Sequence, residues 1–167
     1  LMKYYLSLGS NLGNREKNLA RALSLLRKEG VDIVRTSSLY ETQPVDFSSQ
    51  PWFINQVVEI YAGIEPQDLL ILIKGIEKIL GRDTRHPKGP RMIDIDILLA
   101  EERVIRTEEL NVPHPRLDRR NFVLIPFAEI APEAMHPLLN ENIQNLLQKS
   151  NDHSAVKQIK KSHNQKP

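Results

Sequence analysis

No cysteine occurs among the 167 residues, which excludes disulfides and thiolate metal sites and agrees with a cytoplasmic protein. No apolar run approaches the ~20 residues needed to cross a bilayer. Leu1 to Tyr5 carry no cleavable signal pattern, so neither a membrane nor export is expected. The Gly-Lys-Ser/Thr of a phosphate-binding P-loop is missing throughout. Internal repeats and low-complexity blocks are missing too. A charge of one sign is also lacking: 23 Lys and Arg stand against 21 Asp and Glu. The small basic surplus lies in residues 151–167, where Lys157, Lys160, Lys161 and Lys166 face only Asp152. Residues 1–150 are therefore close to neutral, which speaks against a nucleic-acid interface.

What remains is enough for one domain, 1–150, burying roughly two thirds of its unfolded surface. Residues 151–167 read as a polar, basic and mobile tail. Tyr4 to Leu8 read as a strand, ended by Gly9-Ser10-Asn11-Leu12-Gly13-Asn14, which reads as a plain turn. A helix follows with Leu19, Ala22, Leu23 and Leu26 on one stripe and a stop at Gly30. Val31 to Thr42 form a second predicted strand, and Gln43-Pro44 break it. Trp52 to Ile64 form a third. Pro66 opens a second helix with Leu69, Leu72, Ile73, Ile76 and Leu80 as its buried stripe, and Gly81 ends it. Val104-Ile105 suggest a short strand, and the apolar run Phe122 to Phe127 is interrupted by Pro126. The order strand, helix, strand, strand, helix, strand predicts an α+β fold. Its expected form is a ferredoxin-like βαββαβ sandwich with helices on one face of a mainly antiparallel sheet.

The last strand of that series carries the chemistry. In Ile93-Asp94-Ile95-Asp96-Ile97 the isoleucines share one face and the aspartates the other. Two carboxylates about 7 Å apart on one strand face repel unless a cation lies between them. An all-oxygen pair suits Mg²⁺, which completes its shell with water and substrate phosphates. The bland alternative is a solvated strand face, although such faces usually carry Thr, Lys or mixed charge. The segment from Arg82 to Arg91 adds Arg85 and Lys88. A soluble loop would contain such residues anyway, but arginine matches phosphate oxygens in bidentate fashion. Arg82 and Arg91, at the loop's ends, are the expected phosphate ligands, and the middle reads as a lid. His114, held between Pro113 and Pro115, is a candidate nucleotide contact. Phe53 and Phe122 taken alone read as core. Asn55 shares the strand face of Phe53 and could bond a flat heterocycle. No residue reads as a general base.

These segments together resemble the 6-hydroxymethyl-7,8-dihydropterin pyrophosphokinases of folate biosynthesis. The likeness is carried by residues 8–13, by Ser38-Leu39-Tyr40-Glu41-Thr42 and Phe53-Ile54-Asn55, and above all by residues 89–98. Val112-Pro113-His114-Pro115-Arg116 and Phe122-Val123-Leu124-Ile125-Pro126 extend it. The resemblance implies transfer of pyrophosphate from ATP to the pterin hydroxymethyl group, with release of AMP. It implies two Mg²⁺ ions on Asp94 and Asp96, and Arg82 and Arg91 on the phosphates. It further implies His114 and Arg120 against ATP, and a pterin between Phe53 and Phe122. Asn55 would bond the pterin edge, with Thr42, Pro44 and Val45 completing the pocket. Loops 43–51 and 82–91 would close over the substrates. A monomer is expected. Two rival readings are a nucleotidyl transferase, which would release pyrophosphate, and a non-catalytic RNA-binding module, which would need exposed aromatics on its central strands.

Overall fold

The computed structural model describes residues 1–44, 49–81 and 90–159, and the statements below concern those residues. The chain begins with β1, Met2–Ser10, followed by α1, Arg15–Lys28. The Asn14 side chain caps α1 by accepting from the Lys17 amide at 3.1 Å. Gly30, at a φ of 87°, then lets the chain turn back. Next come β2 (Asp32–Thr36), β3 (Tyr40–Thr42) and β4 (Phe53–Ala62), then α2 (Pro66–Ile79) and β5 (Asp94–Ala100). The short pair β6 (Ile105–Arg106) and β7 (Asn111–Val112) follows. A 3-10 turn at Leu117–Arg119 leads into α3, Asn121–Ile130. The pair β8 (Met135–His136) and β9 (Glu141–Asn142), α4 (Ile143–Lys149) and β10 (Val156–Gln158) complete the chain.

The main sheet has the order β10-β3-β4-β1-β5, with β2 also paired to β4, and its pairings are antiparallel. Strand alternation then sorts the core into two layers. Tyr4, Leu6 and Leu8 of β1 and Ile93, Ile95 and Ile97 along β5 pack against Leu19, Leu26, Leu69, Ile73 and Ile76 of α1 and α2. Tyr5, Val57 and Leu99, on the other face, pack against Val123, Leu124 and Phe127 of α3. The Tyr5 and Phe127 rings lie 4.7 Å apart. A bulge in β5 shifts the register between Tyr5 and Leu6, so adjacent Leu98 and Leu99 both join the α3 layer.

Four expectations change. Helices cover both sheet faces rather than one, because the apolar run after Arg120 folds as α3 onto the second face, with α4 beside it. Pro126 lies inside that helix instead of breaking it. Burial of Val123, Leu124, Phe127 and Ile130 offsets the lost hydrogen bond. The predicted strand 31–42 is two strands, since Ser37 and Ser38 divert the ladder. The Ser37 hydroxyl accepts from the Val57 amide at 3.0 Å, and the Ser38 amide and hydroxyl both donate to Glu129 on α3. Finally, residues 151–159 are not a loose tail. Val156–Gln158 pair with Tyr40–Thr42 as the edge strand of the sheet. Val104-Ile105 is realised one residue later, as β6. Among the described residues no helix is long and apolar enough to cross a membrane.

Candidate functional site

The face of the sheet that α3 covers only in part holds an open cleft lined by both polar and aromatic side chains. Ser7 and Gly9 of β1 and Asp94 and Asp96 of β5 line its floor, because Gly9 is opposite Asp94 and Ser7 opposite Asp96 in the ladder. Phe53 and Asn55 enter from β4, and Thr42, Gln43 and Pro44 from the end of β3. Arg120 and Phe122 enter from the start of α3, while Arg91 and Gln50 close the sides. The expected division of the 93–97 segment therefore holds. The isoleucines are in the core and both aspartates face the cleft.

One end of the cleft is ionic. Arg91 Nη1 donates to Asp94 Oδ2 at 2.9 Å, with both side chains largely shielded from solvent. The same guanidinium stands 5.9 Å from the Phe53 ring centre, and that of Arg120 stands 5.6 Å from the Phe122 ring centre. The other end is aromatic and amide-lined. The Asn55 amide donates to the Thr42 hydroxyl, and its oxygen faces Gly9. A Cβ built at position 9 would sit 2.5 Å from that oxygen, so glycine is what permits Asn55 to lie flat across β1.

His114 does not line the cleft. Its Nδ1 accepts from the Arg116 amide at 3.2 Å, which leaves the proton on Nε2 in the neutral ring. Its own amide donates to the Leu98 carbonyl. Burial, and then the nearby charges of Arg120 and Arg116, push its pKa below 6.5 against a smaller opposing pull from Asp94. Arg82, Val45 and the middle of the basic loop with Arg85, His86 and Lys88 lie outside the described residues. Arg91, Asp94, Asp96, Arg120, Thr42, Pro44, Phe53, Asn55 and Phe122 meet in one cleft.

Two supporting residues were not foreseen. Asn11, only 2% exposed, does more than complete the turn after β1. Its backbone amide donates to the Arg91 carbonyl at 3.1 Å, and its side-chain oxygen accepts from the Arg91 amide at 2.7 Å. Its side-chain nitrogen donates to Gln50 Oε1 at 2.6 Å and to the Pro51 carbonyl at 3.0 Å. Asn11 thus joins the Arg91 segment to the chain entering β4. Glu77, on the buried side of α2, accepts from the Ile95 amide at 3.0 Å and so holds the edge strand between the two aspartates. An asparagine between Ser10 and Leu12 in a strand-to-helix turn was the available signal for the first. Glu77 falls on the buried stripe of α2, where a carboxylate needs a partner.

A family model described as 7,8-dihydro-6-hydroxymethylpterin-pyrophosphokinase (HPPK) matches residues 5–132. The 2-amino-4-hydroxy-6-hydroxymethyldihydropteridine pyrophosphokinase of Aquifex aeolicus is 42% identical over 140 residues, which are 84% of this chain and 87% of that one. The folic acid synthesis protein fol1 of Pneumocystis carinii is 41% identical over 149 residues, covering 89% of this chain but only 20% of its own length. This chain therefore corresponds to one part of that longer protein. A crystal structure of Plasmodium falciparum HPPK-DHPS with pterin and p-hydroxybenzoate superposes with a TM-score of 0.73 at 21% identity. It covers 89% of this chain and 43% of that one, a likeness of fold.

Proposed function

We infer that this chain, which belongs to the 7,8-dihydro-6-hydroxymethylpterin-pyrophosphokinase family, transfers pyrophosphate from ATP to the hydroxymethyl group of 6-hydroxymethyl-7,8-dihydropterin in folate synthesis. The observation that carries this reading beyond family membership is one cleft with an ionic end, Asp94, Asp96 and Arg91, and an aromatic, amide-lined end, Phe53, Asn55 and Phe122. A triphosphate suits the first end and a flat, hydrogen-bonding bicycle the second. The pterin hydroxyl oxygen forms a bond to the β-phosphorus while the bond from that phosphorus to the α-phosphate oxygen breaks. AMP and the hydroxyl proton are released.

The donor set fits Mg²⁺. Asp94 and Asp96 offer carboxylates from one strand face into an open cleft, and a hard cation takes one or two such ligands with water and phosphates. Bound there with ATP, as two ions, Mg²⁺ would neutralise charge on the attacked phosphoryl group. The protein's own part is positioning. Arg91 supplies a cation fixed beside Asp94, and Arg120 a second one at the mouth of α3. His114 is assigned to ATP on the family resemblance; it lies outside the cleft lining but near enough for the charges of Arg120 and Asp94 to act on it. Arg82 is assigned to the phosphates on sequence grounds alone. The Phe53 and Phe122 rings hold the pterin by stacking, and Asn55, fixed by Thr42 and Gly9, reads its edge. Gln43, Pro44 and Gln50 wall the pocket.

The strand order β3-β4-β1-β5 with α1 and α2 on one face supports a ferredoxin-like core, to which α3, α4 and β10 are additions. The deciding experiment measures AMP from ATP and Mg²⁺ with and without 6-hydroxymethyl-7,8-dihydropterin. Pterin-dependent AMP is expected. Pyrophosphate release instead would favour the nucleotidyl transferase, and no nucleotide turnover in folded protein would overturn the reading.

A further inference from the structure

The family model stops at residue 132, yet the segment 151–159 touches both walls of the cleft. On one wall β10 pairs with β3, bringing Val156 opposite Thr42. The Gln43 amide donates to the Ala155 carbonyl at 3.1 Å, and the Ala155 amide donates to Gln43 Oε1 at 3.3 Å. Farther along, the Ile159 amide donates to the Leu39 carbonyl at 2.8 Å, and the Gln158 amide group to the Ser38 hydroxyl. The second wall is held from the same segment. Asp152 Oδ2 accepts from the Asn121 amide at 2.8 Å, and the Asp152 carbonyl accepts from the Asn121 side chain at 3.0 Å.

The second contact matters because α3 has no cap of its own. Arg120, at its N-cap position, makes no side-chain capping bond. Asp152 supplies from a distance what the local sequence omits, a carboxylate at the positive end of the helix. The residues flanking the bonded amide are Arg120 and Phe122, both in the cleft. Burial would raise the Asp152 carboxyl. The backbone amides of Ser154 and Asn121, the Ser154 hydroxyl and His153 outweigh burial and hold the pKa below its ordinary value. The group is therefore an anion at neutral pH.

We propose that residues 151–159 form a positioning strap that sets the gap between the Thr42–Pro44 wall and the Phe122 wall, and thereby the affinity for the pterin. This rests on the pterin reading of that cleft. The strap touches neither substrate. It fixes β3 by main-chain pairing and the start of α3 by a remote cap, so the space between them is set before the ring enters. Most of the phosphate end is held elsewhere, Asp94, Asp96 and Arg91 by β1, Asn11 and Glu77, and only Arg120 among its groups sits beside the cap.

The test compares wild type, Asp152→Ala, Asp152→Asn and a truncation after Ser150 in steady-state AMP formation, varying pterin and ATP separately. Loss of a cap worth about 1 kcal/mol predicts a KM for pterin raised about fivefold in Asp152→Ala. Its kcat should stay within about twofold, and its KM for ATP should rise less than its KM for pterin, since Arg120 is the one ATP contact beside the cap. Asp152→Asn keeps a capping oxygen and should recover most of the pterin affinity. The truncation should exceed Asp152→Ala. If it fails to fold, the two point variants decide the matter alone. Hydrogen exchange at the Asn121 amide, faster in Asp152→Ala and near wild type in Asp152→Asn, reads the cap directly. With wild-type turnover present, an unchanged pterin KM in Asp152→Ala overturns the strap and leaves the function standing. Equal rises in both KM values overturn it as well. A wild-type protein without pterin-dependent AMP strikes down the functional reading itself.

Discussion

The two ends of the cleft are built in opposite ways. The ionic end comes mainly from one stretch of chain, Arg91 to Asp96, where strand alternation alone sends both carboxylates to the same side. The aromatic end is gathered from β3, the β4 strand, the start of α3 and, through the strap, residues beyond Ser150. A site made from one local segment tolerates small rearrangements elsewhere. One made from distant segments depends on every contact that fixes their spacing. Damage at the first should therefore appear in turnover, and damage at the second in pterin affinity.

The largest effect should follow from Asp96→Ala or Asp94→Ala. Each is expected to lower kcat by about 10²–10³-fold, the scale of losing one preorganised charge partner in a transition state. Pterin binding measured without nucleotide should barely change, and a parallel loss of pterin affinity would erase the contrast between the ends. Phe122→Ala tests the other side. Removing one face of a ring stack should cost about 1–3 kcal/mol of pterin binding, by analogy with base–aromatic stacking, with KM for ATP unmoved.

Asn11→Ala sharpens the comparison, since Asn11 is bonded to both ends. Loss of its buried bonds to Arg91, Gln50 and Pro51 should cost about 1–3 kcal/mol of stability in denaturant unfolding. It should also shift both kcat and the pterin KM. The smallest effect concerns pH. His114 is held neutral in the fold, with its pKa below 6.5. As pH falls below 6.5 the unfolded chain takes up a proton that the native ring refuses, so stability declines with acid and is flat for this group above that value. A His114→Gln variant should lose that component of the acid sensitivity, and an imidazole titration by NMR should show a midpoint below 6.5 in the wild type.

The pattern of what could be read in advance follows the same division. The Leu19–Leu26 and Leu69–Leu80 stripes and the Ile/Asp alternation in β5 are local periodicities, and each element formed as its pattern required. The apolar run from Phe122 carries no such direction. Proline at 126 argues for a break, and only the second sheet face, waiting to be covered, makes a helix there favourable. The break in the predicted 31–42 strand depends on Glu129, far along the chain, which receives the Ser38 amide and hydroxyl. The polar composition of the tail by itself predicts no fixed structure. Its order comes from open backbone groups on β3 and an uncapped α3, which no property of residues 151–159 discloses.

By itself the sequence determined the alternating strand with its two carboxylates, the amphipathic helices behind it and the family to which the motifs belong. These depend on neighbours two to four residues apart, and side-chain geometry at that range follows from backbone period alone. The tertiary structure decided which face α3 covers, how Asn11 and Glu77 brace the ionic end, and that residues 151–159 reach both walls of the cleft. Those outcomes depend on unmatched hydrogen-bonding groups and bare apolar surface finding partners across the fold, and such partners exist only once the sheet has formed.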